Sequence, residues 1–271
     1  SRDLRSLVAP WLRRGQAQLA SGRFEAARAE LVTAWQFSPK DRDVNLALAR
    51  TYMRLEQLDD ALRHVSALLE GDSADLEATL VLADIRVAQG DLSAAVLLLE
   101  AAEPLHPGDE RLLTNLGYLL TQLAVGGDET IRRRLARARV LFQRAAALAP
   151  ALSQPRAGLA EVYYRLDDQD LALREIDRAL FLEESCHYRS ARGHILAAKG
   201  ELAPAEAELQ RSLLACPEAV DALVMLGAVL AEQHKYTEAR QSWERALLVD
   251  PGSDAARSNL EALEANRPDR D

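Results

Sequence analysis

The chain has 271 residues, of which 48% are hydrophobic, 28% are charged and only 5% are aromatic. Ala, Leu, Arg and Glu dominate, and the few Gly and Pro residues (13 and 10) argue against an all-β protein that turns about every ten residues. The formal net charge of −9 argues against general nucleic-acid binding, which requires a basic surface. The composition therefore predicts an all-α protein.

One pattern of small and large residues recurs along the whole chain. Its clearest copy has Ala239, then Trp243 four positions on, Ala246 seven positions on and Pro251 twelve positions on. Self-similarity with a period near 34 residues is the signature of stacked helical hairpins. The pattern predicts seven repeats, at residues 8–41, 42–75, 76–109, 110–152, 153–185, 186–219 and 220–253.

A second column of small residues stands twelve positions before the first alanine of each repeat. In the fourth repeat, nine extra residues lengthen this spacing. A turn signal follows the small residue, as in Gly22-Arg23 and Gly90-Asp91. Each repeat therefore predicts a helix, a short turn, a second helix and a break before the next repeat. Small residues let the paired helices approach closely, and the hairpins must stack because one alone cannot bury its apolar face. The column consists of Gly15, Ala49, Ala83, Gly117, Ala160, Gly193 and Gly227.

This spacing resembles the tetratricopeptide repeat family. The first repeat carries the family's residues at Trp11, Gly15, Phe24, Ala27, Ala34 and Pro39. The resemblance covers residues 8–253, with departures at Leu68, Ser73 and Glu184. It implies an all-α, right-handed α-solenoid superhelix of antiparallel helix pairs, formed by residues 1–271 as one domain. It also implies that the first helices line a concave groove.

The fourth repeat is enlarged near residues 124–134. Gly126-Gly127 interrupts the chain and Asp128 is a suitable N-cap, so the second helix of this repeat is predicted to begin near Asp128 and to be the longest. Its arginines could dock an acidic partner or an anionic membrane, but we favour a solvated face that pairs with neighbouring Glu. These arginines are Arg132, Arg133, Arg134, Arg137 and Arg139.

Residues 254–266 have helical spacing but no partner helix after them. They predict a closing helix that turns Leu260 and Leu263 onto the seventh repeat and shields its apolar face. Residues 267–271 are predicted to be a frayed tail.

The repeat register places a set of Arg, Tyr, Asn and His residues on the groove. Arg and Tyr are frequent hot-spot residues in interfaces, and Arg suits acidic side chains or C-terminal carboxylates. The Lys and Asn clamp of the family's heat-shock adaptors is not matched, since Leu12, Gln16 and Ala47 stand at its places. The candidate protein-binding residues are Arg50, Arg54, Arg111, Asn115, Tyr118, Tyr164, Arg165 and His194.

Motifs for catalysis, cofactor binding and membrane insertion are missing from the sequence. It has no Gly-rich phosphate loop, no His-Glu-x-x-His and no Gly-x-Ser-x-Gly, and no stretch near the roughly 20 apolar residues of a membrane span. His187 and His194 could share a helical face, but no third ligand has the right spacing for a metal. We therefore expect no catalytic residue, no metal site and no cofactor.

The two cysteines lie at opposite ends of the sixth repeat. Cys186 opens its first helix and Cys216 closes its second, so antiparallel packing brings both to one edge of the hairpin. A disulfide there would close a loop of about thirty residues and contribute roughly 3–4 kcal/mol. We favour the alternative of two buried free thiols.

Together these features predict a protein–protein interaction scaffold or adaptor, not an enzyme, that holds a protein or peptide segment in its groove. The family resemblance suggests a bacterial secretion, pilus or envelope assembly. One alternative is a regulatory repeat domain excised from a larger enzyme or transporter, which a chain starting at Ser1 without Met permits. Another is a self-assembling, homo-oligomeric scaffold. Cytoplasm and periplasm both stay open as compartments.

Overall fold

A computed structural model describes the backbone of residues 4–265 and the side chains of residues 8–265. Over that range the protein is all-α, with fifteen helices and no strand. It divides into two compact units, Ser1–Gly126 and Gly127–Asp271, which we call the N-terminal and C-terminal units.

The N-terminal unit holds the first seven helices. They are α1 (Leu4–Ala20), α2 (Phe24–Phe37), α3 (Arg42–Arg54), α4 (Leu58–Gly71), α5 (Leu76–Ala88), α6 (Leu92–Ala102) and α7 (Glu110–Gln122). The C-terminal unit holds the other eight. They are α8 (Asp128–Leu148), α9 (Gln154–Arg165), α10 (Gln169–Leu182), α11 (Cys186–Ala198), α12 (Leu202–Ala215), α13 (Val220–Glu232), α14 (Tyr236–Val249) and α15 (Asp254–Ala265).

Within each unit, the first helices of successive repeats form an inner layer. The two helices of a repeat that lies within one unit pack on each other, and neighbouring first helices also touch, as α1 does α3 and α11 does α13. The second helices pack chiefly on first helices. The first helices therefore line the inner side of each unit.

The alanine column forms the centre of each hairpin. All seven first alanines have no exposed surface, and the large residue four positions later is also buried, from Leu31 at 0% exposure to Trp243 at 4%. Residues four apart share one face of a helix, so the two columns fill the same seam. The alanines are Ala27, Ala61, Ala95, Ala138, Ala172, Ala205 and Ala239.

The glycines of the second column mark close helix contacts. A Cβ at Gly15 would lie 2.5 Å from Leu31 Cγ, one at Gly193 would lie 2.7 Å from Leu209 Cγ, and one at Gly227 would lie 2.6 Å from Trp243 Cδ1. Real Cβ contacts are essentially never shorter than 3.0 Å. In these three repeats the column residue is Gly because the large residue of the second helix packs directly on the backbone of the first.

Aspartates 34 residues apart begin three successive first helices. Asp41 accepts hydrogen bonds from the amides of Asp43 and Val44, Asp75 from that of Ala78, and Asp109 from those of Arg111 and Leu112. Such N-caps satisfy amides that have no partner within the helix. The same repeat that sets the core therefore also sets where these helices begin.

The enlarged fourth repeat confirms the long helix and corrects its cap. Helix α8 begins at Asp128 and, with 21 residues, is the longest of the described helices. The N-cap position is Gly127, however, because its carbonyl already accepts from the amides of Thr130 and Ile131. Asp128 therefore lies in the first turn, where a negative charge favours the helix dipole. Arg132 pairs with Glu129 at 3.5 Å, as expected for a solvated face.

The closing helix is present as α15, which packs on α13 and α14. Ala256 is fully buried, and Leu260 and Leu263 are partly buried against the core of the last repeat. This confirms the predicted orientation of both leucines. Residue 266 and the predicted frayed tail at 267–271 lie outside the described residues.

The interpretation of the cysteines as free thiols is wrong. Cys186 and Cys216 form a disulfide, with an Sγ–Sγ distance of 2.05 Å and a Cα–Cα distance of 6.1 Å. The hydroxyl of Ser212 donates to the carbonyl of Cys186 at 2.7 Å, which holds the start of α11 against the last turn of α12. The hairpin thus presents the two thiols to each other at its open end.

Candidate functional site

On each first helix, the residue that follows the small residue lies on the concave face of the unit. Gly15, Gly193 and Gly227 face the second helix of their own repeat, and on a first helix the residue that follows the small one is turned by about 100° toward the inner side. Arg50, Asp84, Glu161 and His194 occupy this following position. Arg50 interacts with Glu77 and His194 with Asp221, each in the first turn of the next first helix, so neighbouring repeats can pair across the face.

In the N-terminal unit, this pairing neutralises two of the predicted binding arginines. Arg50 Nη2 lies 2.7 Å from Glu77 Oε2, and Arg111 also pairs with Glu77 and, at 3.2 Å, with Asp109. Burial alone would raise the pKa of Glu77, but the hydrogen bonds and charges of Arg111 and Arg50 outweigh it and lower that pKa. Both arginines are exposed yet engaged within the protein, which weakens the expectation that they bind acidic groups.

The remaining candidates in the N-terminal unit lie on α3 and α7. Arg54 is exposed and its Cζ stacks 4.9 Å from the ring centre of Phe24. It lines an open cavity of about 510 Å³ together with Arg50 and Asp84. Asn115 and Tyr118 are half-buried on the same face of α7.

In the C-terminal unit, α9, α11 and α13 enclose a cavity of about 360 Å³, which we call the inner cavity. Tyr164 and His194 both line it, so the structure brings these two predicted residues together. Arg165 is half-buried and is not part of the lining. The floor is apolar, from Ala157, Ala160, Ile195 and Ala222, and the polar lining includes Glu161, His187, Ser190 and Asp221.

Burial shifts the pKa values of two polar groups of the inner cavity, His194 and Glu161. Burial lowers the pKa of His194, against a smaller raising effect of the charge and backbone of Asp221, so the ring is neutral at pH 7. Glu161 is exposed as a residue, but the surrounding concave wall partly buries its carboxyl, and this burial raises the pKa of that group. The charge of Arg165 lowers the pKa and offsets part of the rise. Such shifts concentrate at binding and catalytic sites.

Two features escaped the sequence analysis. Asp221 was not identified, although it follows His194 by the same 27 positions that separate Glu77 from Arg50. Buried carboxylates on the second helices were also missed. Glu175 accepts from Arg156 at 3.0 Å, and Glu208 accepts from Arg189 at 3.0 Å. These pairs join the two helices of a hairpin and are structural.

Residues 4–265 offer neither a metal cluster nor a membrane-spanning helix. Within that range, no three His, Cys, Asp or Glu side chains are arranged to hold a metal ion. The helices found there are each too short or too polar to cross a membrane.

Comparison with known proteins identifies the repeat. The tetratricopeptide repeat family matches residues 18–75 and, separately, residues 190–256. Human tetratricopeptide repeat protein 34 is 28% identical over 293 aligned positions that cover 92% of this chain. The chain spans about half of that relative, 52% of its length.

Solved structures share the fold. A chain of the APC/C hetero-tetramer Cut9-Hcn1 superposes with a TM-score of 0.79 at 16% identity, covering 93% of this chain and 48% of that one. A tetratricopeptide repeat protein from Parabacteroides merdae superposes with a TM-score of 0.74 at 15% identity, covering 95% of this chain and 98% of that one. Proteins of such repeats are generally non-catalytic and bind proteins or peptides. The repeating core and both family matches thus identify tetratricopeptide repeats in this chain, at residues 18–75 and 190–256.

Proposed function

We propose that the protein is a non-catalytic scaffold or adaptor that holds a segment of a protein partner on the concave face of its first helices. The observation that carries this proposal is the inner cavity, where Tyr164 and His194 stand half-buried over an apolar floor. Half-buried aromatic side chains around a concavity are well suited to anchor a partner. The matched chain of the Cut9-Hcn1 hetero-tetramer is likewise part of a protein assembly.

We further propose an oxidising compartment. The Cys186–Cys216 disulfide would be reduced in most cytoplasms and persists in the bacterial periplasm or outside cells. This favours the expected bacterial secretion, pilus or envelope assembly over a cytoplasmic one. The acidic balance of the chain supports a protein partner over a nucleic acid.

The proposal is tested by partner capture from the native organism. Replacing two concave tyrosines (Tyr118→Ala with Tyr164→Ala) should weaken capture by about 2 kcal/mol or more, because truncated aromatic anchors lose their contact area. The matched control replaces two exposed arginines of second helices (Arg63→Ala with Arg174→Ala) and should leave capture unchanged. Only variants with unaltered far-UV circular dichroism are compared. Loss of capture in the control alone would place the partner on the second helices instead.

Self-assembly is a second candidate, and one observation favours it. Phe181, Leu214 and Leu248 stand at the same place in the last turns of α10, α12 and α14, and they are 91%, 84% and 82% exposed. A row of apolar side chains this exposed marks a contact surface in soluble proteins. If this row joins two copies, light scattering should show a dimer that dissociates when all three residues become Ser. A wild-type monomer at high concentration would exclude this candidate.

A further inference from the structure

The inner cavity of the C-terminal unit has a polar lining with a definite chemical character. Its carboxylates are Glu161 on α9 and Asp221 on α13, and both of these helices pack on α11. A carboxylate is only an acceptor of hydrogen bonds. Arg165 acts on Glu161 through its charge but does not line the cavity.

His194 also lines the cavity and can supply a third acceptor. The charge and backbone of Asp221 favour the protonated ring, though less strongly than burial opposes it. Its Nε2 atom is buried and has no partner in the structure. In the neutral ring one nitrogen carries the proton, and with that proton on Nδ1 the unpartnered Nε2 presents a lone pair. A buried polar atom without a partner costs free energy until a ligand supplies one.

We propose that the inner cavity binds the side chain of an arginine in the partner segment. This inference rests on the proposed function, because it names the chemistry of the groove's occupant. A guanidinium carries five donors in a rigid planar fork and no acceptor. In the cavity it can donate to the carboxylates of Glu161 and Asp221 and to Nε2 of His194, and its flat face can stack on the ring of Tyr164.

In the N-terminal unit, the residues at the corresponding places form an ion pair within the protein. Arg50 follows the small residue of α3 and donates to Glu77 in the first turn of α5 at 2.7 Å. His194 and Asp221 occupy the corresponding places on α11 and α13. There the neutral imidazole replaces the guanidinium, so among the described residues no cation pairs with Asp221 at that place. A partner's arginine would supply the missing charge.

The inference is tested by titrating the whole chain with three tripeptides at pH 7.5. The probes are acetyl-Ala-Arg-Ala-amide, its citrulline analogue, which has the same shape without the charge, and acetyl-Ala-Glu-Ala-amide. NMR signals of the histidine rings report where each probe binds, since the chain has five His. The arginine probe should shift the rings of His187 and His194, and it should bind at least about tenfold more tightly than the citrulline probe. The glutamate probe should not bind.

Near-isosteric variants assign the effect to the cavity. Glu161→Gln and Asp221→Asn should each weaken the arginine probe at least about threefold, while Glu244→Gln on α14, in the same unit, should have no effect. Equal affinity for arginine and citrulline, or unchanged affinity in both cavity variants when folded, would overturn the inference. If the arginine probe fails these tests but the variant Tyr118→Ala with Tyr164→Ala still loses partner capture, the proposed function stands. Failure of this inference is therefore distinguishable from failure of the proposed function.

Discussion

Breaking the Cys186–Cys216 disulfide should lower the free energy of unfolding of the C-terminal unit by about 3–4 kcal/mol. The bond joins residues 30 apart in sequence, so it removes many conformations from the unfolded chain while adding little constraint to a hairpin that is already closed. Urea denaturation with and without a reductant measures the effect. The double variant Cys186→Ser with Cys216→Ser should match the reduced protein and be insensitive to the reductant. A wild-type midpoint that does not move on reduction would contradict the prediction.

Adding a single methyl group at Gly227 should be nearly as harmful. The new Cβ would lie 2.6 Å from Cδ1 of Trp243, a ring that is 4% exposed and whose Nε1 donates to the carbonyl of Val224 at 3.0 Å. Moving this ring strains the core and breaks that bond. Gly227→Ala should therefore cost about 2–4 kcal/mol, although Ala is the better helix former by about 1 kcal/mol. Thermal unfolding followed by circular dichroism measures the loss.

The chain itself supplies the control for this substitution. The third repeat has Ala83 opposite Leu99, so a small residue with a methyl group is compatible with Leu on the second helix. The double variant Gly227→Ala with Trp243→Leu should therefore be at least about 1 kcal/mol more stable than the summed destabilisation of the two single variants predicts. Gly71→Ala should do no harm, because a Cβ there meets nothing within 4 Å. Strict additivity of the pair would show that the close contact is not the cause.

The helices could be predicted from the sequence because one residue pattern recurs seven times. The position of Ala239 and its equivalents in the other repeats must be small because two helices touch there. This column therefore predicts the positions of α1 to α14 from the sequence alone. Leu260 and Leu263 were predicted to cover the last repeat because an apolar stripe without a neighbour is unstable in water. These inferences use contacts that are local in sequence or fixed by the period.

The character of the site could not be predicted in the same way. The groove positions of Arg50 and Arg111 followed from the register, but their ion pairs with Glu77 depend on residues in neighbouring repeats. The disulfide depends on the exact helix ends at Cys186 and Cys216. Asp221 becomes relevant only when the 27-residue step from His194 is known to bridge two helices. The chemistry of the concave face therefore depends on which residues of neighbouring repeats pair with each other, and the repeat pattern alone does not predict these pairs.

The central claim is that the partner lies on the concave face, and site-specific photo-crosslinking in the native cells tests it most directly. A benzophenone amino acid replaces either Tyr164, at the inner cavity on α9, or Arg174, which is exposed on the second helix α10. We expect a discrete crosslinked partner from position 164 and none from position 174. A crosslink from position 174 with none from position 164 would contradict the account.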